Sequence, residues 1–229
     1  MRQAYNVGNF GSVPAFGGSS REFVKANFDK ITIPAITLTG DLSISFWIRG
    51  ENLHAGYGSM VIGGGAATSG SDHLGYIWLW NFGGTTRRFS WRLDGEITAL
   101  QNLSFTGDID DGAWHHVTCW RAGASCKLFL DGIELLSGVG STNDFHIRNI
   151  GNSYLFSAFG TEGQMADVRF FNRALEEAEI TSLASGEHVA GDNFEGWYLL
   201  DSDDVLDYSG NGNHGTNDGS VFSTDGPLD

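Results

Sequence analysis

The residues with the richest chemistry lie near the C-terminus, in DYSGNGNHGT (207–216). Asp207 offers a carboxylate, Asn211 and Asn213 offer amide oxygens, and the glycines let main-chain carbonyls turn inward. Calcium takes six to eight hard oxygens, carbonyls included, so these residue types suit it. The Glu expected at the twelfth position of an EF-hand is missing. The same composition also suits a glycine-rich Asx-turn loop held by its own hydrogen bonds. Both readings stand on the sequence.

The seven histidines give no zinc spacing, and His115 and His116 would point to opposite faces of one strand. There is no G-x-S-x-G. Sugar recognition has better material, because sugars stack on aromatic faces while Asp and Asn bind their hydroxyls. Tyr76, Trp78 and Trp80 share one side of GYIWLWNF, and Phe89 and Trp91 share a side of RRFSWRL. The alternative is that these rings fill the core. Trp47, opposite Phe46 on its strand, is the better candidate for exposure. The loop GGGAATSGSDHLG (63–75), with Asp72 and His73, is long and polar enough to complete a ligand site, as is FGGTT (82–86).

The elements that must position these residues are strands. Glycine is abundant at 33 residues and proline scarce at 3, with 13% aromatics, a β-rich and turn-rich balance. Short segments alternate with period two. In SISFWIR, Ile44, Phe46 and Ile48 point one way and Ser43, Ser45, Trp47 and Arg49 the other. Turn signals such as Asp94-Gly95 and Asp131-Gly132 separate them. The pattern predicts an all-β, two-sheet antiparallel jelly-roll sandwich with one short helix. In NRALEEAEITSLASGEH, Asn172 is expected as N-cap, Leu175, Ile180 and Leu183 as the apolar face, and Gly186 as C-cap. Residues 1–20 read as an irregular arm and 21–229 as one domain.

In HHVTCWRAGASCKLF, a two-residue turn at Ala122-Gly123 would set Cys119 across from Cys126. That leaves either a bridge or two small buried side chains. The net charge is −15, and after Arg173 no Lys or Arg occurs while thirteen Asp and Glu follow. Such a surface repels phosphate backbones and anionic headgroups, so neither nucleic acid nor membrane insertion is expected. The opening MRQAYNVGNF has no apolar run of signal-peptide length.

Several segments together resemble the laminin-G-like, concanavalin A-like lectin/glucanase jelly-roll domains: WHHV (114–117), LFLDG (128–132), IG (150–151) and, most specifically, MADVRFFNRALEEAEITSL (165–183). SISFWIR and FVKANFDKITIP fit the family's early strands, and the likeness runs in order over about 21–183. WYLLDSDDVLDYSGNGNHGT also resembles a family segment, one that in many members precedes the early strands. Here it comes last, so the strand order looks rotated. Either this segment closes the same sandwich or it opens a second repeat; closure is expected, because sandwich termini commonly lie close together.

The resemblance implies calcium at 207–213. Family members often place two acids before the V-R-I-Y-N-like segment, where this chain has Ala166 and Asp167, so Asp167 joins Asp207, Asn211 and Asn213 as a candidate metal ligand. Some jelly-roll enzymes of this kind cut β-glucans with an E-x-D-x-E strand, whose same-face carboxyls meet the roughly 5 Å that retaining hydrolysis needs. No such triplet exists here, and no catalytic residue is expected. The function expected is a non-enzymatic recognition or adhesion module binding glycan or a protein surface with calcium, on a cell exterior or a virion. Trp47, Asp72, His73, Tyr76 and Trp78 are its candidate ligand residues. The alternative is a virion structural protein, part of a viral capsid or tail assembly, suggested by an extracellular-type module without a visible leader.

Overall fold

A computed structural model describes residues 18–50, 53, 58–64, 76–82, 86–92, 103–104, 109–152, 160–189 and 194–228. The arm over 1–17, the loop carrying Asp72 and His73, and the turn 83–85 lie outside the described residues.

In chain order the strands are β1 (Ser20–Phe23), β2 (Lys30–Leu38), β3 (Leu42–Arg49), β4 (Ser59–Gly63), β5 (Tyr76–Phe82), β6 (Thr86–Arg92), β7 (Leu103–Ser104) and β8 (His115–Ala122). Then follow β9 (Ser125–Leu130), β10 (Ile133–Val139), β11 (Phe145–Ile150), β12 (Gly163–Phe171), helix α1 (Glu177–Ala184), β13 (Phe194–Tyr198), β14 (Thr216–Asp218) and β15 (Val221–Ser223). They form two antiparallel sheets. The first runs β10-β9-β8-β3-β12-β1-β15, with β13 also paired to β12, and the second runs β14-β2-β11-β4-β5-β6-β7.

The period-two pattern of β3 decides its two environments. Ile44, Phe46 and Ile48 enter the core between the sheets with Ile31, Leu38, Ile77, Leu79, Phe89 and Trp91. Ser45 and Trp47 point to the outer face of the first sheet and are buried there too, because two further layers cover that face. Leu175, Ile180 and Leu183 pack α1 onto Phe129 and Phe171. Trp197, Leu199 and Tyr208 of the C-terminal segment pack onto Trp47 and Ala166.

The C-terminal segment closes this same sandwich. β13 runs beside the second half of β12, with Val168 opposite Tyr198, and β1 runs beside its first half, with Arg21 opposite Met165. Both ends of the described chain are thus sewn to one strand. β14 extends the second sheet at β2, and β15 extends the first at β1. The buried Arg21 guanidinium donates to the carbonyls of Ser220 (2.8 Å) and Ser202 (2.7 Å), tying β1 to that segment.

Two local expectations need correction. The β8–β9 turn is Gly123-Ala124, since Ala122 pairs with Ser125, so Cys119 faces Leu128 and Cys126 faces Arg121. The cysteines sit diagonally, both free and buried, and burial pushes both thiols up. The helix starts at Glu177 behind a Glu176/Glu179 capping box rather than at Asn172. The Asn172 carboxamide oxygen instead accepts the Thr39 N–H at 2.8 Å.

Candidate functional site

The C-terminal loop is built around one carboxylate. Asp207 is fully buried. Its Oδ1 accepts the N–H groups of Trp197 (3.0 Å) and Ser209 (2.9 Å), and its Oδ2 accepts the Ser209 hydroxyl (2.8 Å) and the Asn213 N–H (2.9 Å). Asn211 Nδ2 donates to the Phe194 carbonyl at 2.7 Å, and Asn213 Nδ2 to the Glu195 carbonyl at 3.0 Å. The Tyr198 hydroxyl donates to the Asn213 carbonyl at 2.7 Å. Gly210 and Gly212 take left-handed φ values of 90° and 73°, which lets so short a loop turn back over β13.

These residues do not fit calcium as they are arranged. A carboxylate has about four lone-pair positions, and Asp207 fills all of them with donors. The structure does not bring Asp167 to this loop. Its carboxylate accepts Arg169 Nε and Nη2 at 2.8 and 2.7 Å and Trp197 Nε1 at 2.8 Å. The buried Arg169 guanidinium also stacks on the Trp197 ring, 4.6 Å from its centroid. The internal cation beside Asp167 is therefore a guanidinium. Among the described residues no three His, Cys, Asp or Glu side chains gather at metal-ligand spacing.

Trp47 must be withdrawn as a stacking platform. It is only 6% exposed, covered by the C-terminal segment and set edge-on to His116 at 5.2 Å. Tyr76 and Trp78 behave differently. On β5 the aliphatic Ile77 and Leu79 fill the core, while Tyr76 and Trp78 are half-buried on the opposite, outer side of the second sheet. Their rings lie edge to face, centroids 6.0 Å apart. The same outer face is open along β2, where Thr32, Ala35 and Thr37 are exposed. Phe89 and Trp91, from the adjacent strand, are the ones that enter the core.

A cluster missed by the sequence reading joins the β9–β10 turn to the loop before β8. His115 Nδ1 lies 2.8 Å from Asp131 Oδ2, and Nε2 lies 3.1 Å from Asp111 Oδ1. As imidazolium the ring donates to both. The Asp131 bond raises the His115 pKa above its ordinary 6.5, outweighing desolvation, and Asp111 adds to the rise. Its neighbour His116 is driven the other way, to about 4, by complete burial. A group with a raised folded pKa stabilises fully below its unfolded value, and that stabilisation fades as pH rises through the folded value. The difference in urea midpoint between wild type and His115→Gln should therefore shrink as pH rises above 6.5. A His115 resonance titrating at or below 6.5 would contradict this.

Two antiparallel sheets packed face to face, with one short helix laid on the outside, define a lectin-type jelly-roll sandwich. The chain belongs to the concanavalin A-like lectin/glucanases superfamily, whose laminin-G family model matches residues 25–181. No curated protein matches the chain. Among solved structures it is similar to a candidate carbohydrate-binding protein of Bacteroides ovatus, with TM-score 0.67 and 15% identity over 93% of this chain. The match spans 62% of the Bacteroides protein's length. It is similar also to the heptameric SAP-like pentraxin of Limulus polyphemus, with TM-score 0.65 and 15% identity over 92% of this chain and 96% of that one. A third is domain 4 of an extracellular arabinanase of Geobacillus stearothermophilus in complex with arabinotriose, with TM-score 0.50 and 19% identity over 79% and 80%. Identities this low establish the fold alone. Among the described residues no helix is long and apolar enough to cross a membrane.

Proposed function

We propose that this chain is a non-catalytic carbohydrate-recognition module that holds its ligand on the outer face of the second sheet. The observation that carries this reading is the Tyr76–Trp78 pair. Two large rings stay partly exposed side by side, while smaller aliphatic residues of the same strand take the core. A core-directed aromatic run would have the opposite alternation. Ring faces of this kind stack on the C–H faces of sugars, and neighbouring polar groups fix orientation. The superfamily and the likeness to a candidate carbohydrate-binding protein and to an arabinotriose-bound domain support the same class of ligand. The absence of an E-x-D-x-E strand in the sequence favours binding without turnover.

Glycan-array screening followed by calorimetry tests this. Trp78→Ala should weaken the best ligand by roughly 1.5–3 kcal/mol, about ten- to hundredfold, because the stacked ring area is lost. Its melting temperature should stay close to wild type, since the ring is outside the core. Undiminished binding by both Tyr76→Ala and Trp78→Ala would remove the face from consideration.

A further inference from the structure

We propose that the hollow between β9 and the start of α1 is a second ligand site, and that it takes a small organic amine in its protonated form. The hollow measures about 360 Å³ and lies on the outer side of the first sheet, on the other sheet from Tyr76 and Trp78. Its walls are mostly carbon: the Trp120 and Phe129 rings from the sheet, with Leu175 and Ala178 from the helix and its approach. Its rim carries two exposed acids, Glu176 and Glu177. The Trp120 indole N–H donates to the Leu175 carbonyl at 2.9 Å, which fixes that ring against the helix approach.

One of the chain's own side chains shows what chemistry this hollow holds. The Lys127 ammonium stands 5.4 Å from the Trp120 ring centroid and 5.8 Å from that of Phe129. Both lie within the roughly 6 Å over which a ring face attracts a cation. The ammonium meets Glu134 at 2.8 Å and, less closely, Glu177 at 3.6 Å. Glu134, Glu176 and Glu177 thus surround a single lysine. Arg173, the other cation near the helix start, is held by both Glu179 oxygens at 2.7 Å. Negative charge is in excess beside ring faces, and an incoming ammonium joins Lys127 or replaces it. A sugar would need a bare ring face, and these faces already carry a cation. A metal ion would need six or more oxygens, and most of this wall is carbon. An ammonium on a short apolar stem suits both halves: the stem lies along Leu175 and Ala178, and the charge meets the rings and Glu177. Lys127 is then a tethered competitor against which the guest binds.

Titrating the whole chain with n-butylammonium chloride, read at the Trp120 indole N–H resonance, tests the proposal. That resonance is the one Trp120→Phe removes. n-Butanol is the neutral control, and a short lysine-containing peptide is the third probe. The amine should give a saturable shift in the millimolar range, the scale for so few atoms. n-Butanol should bind about two- to fivefold more weakly. Lys127→Met keeps the stem and removes the competing charge, so it should tighten the amine by about two- to fivefold. Saturation in Lys127→Met alone counts as the same tightening. Glu177→Gln, at a side chain 79% exposed, should weaken the amine about twofold while the melting temperature stays put. No saturable shift in either wild type or Lys127→Met overturns the proposal, as does n-butanol binding as well as the amine. An amine affinity that neither Lys127→Met nor Glu177→Gln alters overturns the placement. Tighter binding of the peptide than of the amine overturns the small-molecule assignment in favour of a partner protein's lysine.

Discussion

A fragment ending at residue 189 should be insoluble or molten, without a cooperative melting transition. The truncation removes β13, β14 and β15, which sit at three separate places in two sheets. It strips Tyr198, Leu200 and Val205 from the core between the sheets and Trp197, Leu199 and Tyr208 from the outer cluster over Trp47. Loss of a single large buried side chain costs about 2–5 kcal/mol, and a whole domain is stable by only about 5–15 kcal/mol. The polar losses add to this. Arg21 would keep its buried guanidinium without the Ser220 and Ser202 carbonyls, and Asp167 would lose the Trp197 indole. Half of the β12 edge would be left unpaired, a template for aggregation. Near-UV circular dichroism, dye binding and urea unfolding would show the outcome. A soluble 1–189 fragment with a sharp transition would mean the remaining residues fold without their C-terminal cover.

The sheets were legible in the sequence wherever alternation was clean. β3 shows this best, because Ile44, Phe46 and Ile48 separate from Ser45 and Trp47 by parity alone. Parity says which side a residue faces but not what covers that side. Trp47 is buried by Trp197 and Tyr208, about 150 residues later in the chain, and no local pattern reports that. β5 misleads for a related reason: both of its faces are apolar, and the larger rings are the ones left outside. The hairpin register slipped by one turn position because Gly123 suits either place. What selects between them is long-range, the Gly123 N–H donating to Asp41 Oδ1 at 2.7 Å. The helix start moved because Asn172 was drawn away to Thr39, leaving the Glu176/Glu179 box to cap. No local pattern marks Arg21, Arg121 and Arg169 as interior, yet each is fully buried against carbonyls or a carboxylate.

Asp207 concentrates the question with which the sequence began. Asp207→Ala should destabilise the protein by about 3–5 kcal/mol, because the N–H groups of Trp197, Ser209 and Asn213 lose their acceptor, and each buried orphan donor costs about 1–3 kcal/mol. For a chain of 229 residues that is a fall in melting temperature of roughly 6–20 °C. A loop whose carboxylate is already saturated should also be indifferent to calcium, so the wild-type melting curve should coincide in EDTA and in excess calcium. The competing chemistry makes the opposite forecast on both counts. If the carboxylate were to release its loop donors for an ion, calcium would stabilise the folded state by about 2.7 kcal/mol at a hundredfold excess over its dissociation constant. Asp207→Ala would then abolish that response while leaving the calcium-free melting temperature near its wild-type value. The two accounts differ in whether calcium shifts the melting curve at all and in the size of the calcium-free loss. One melting experiment on two proteins in two buffers therefore separates a loop that carries its own internal anion acceptor from a loop that waits for a cation.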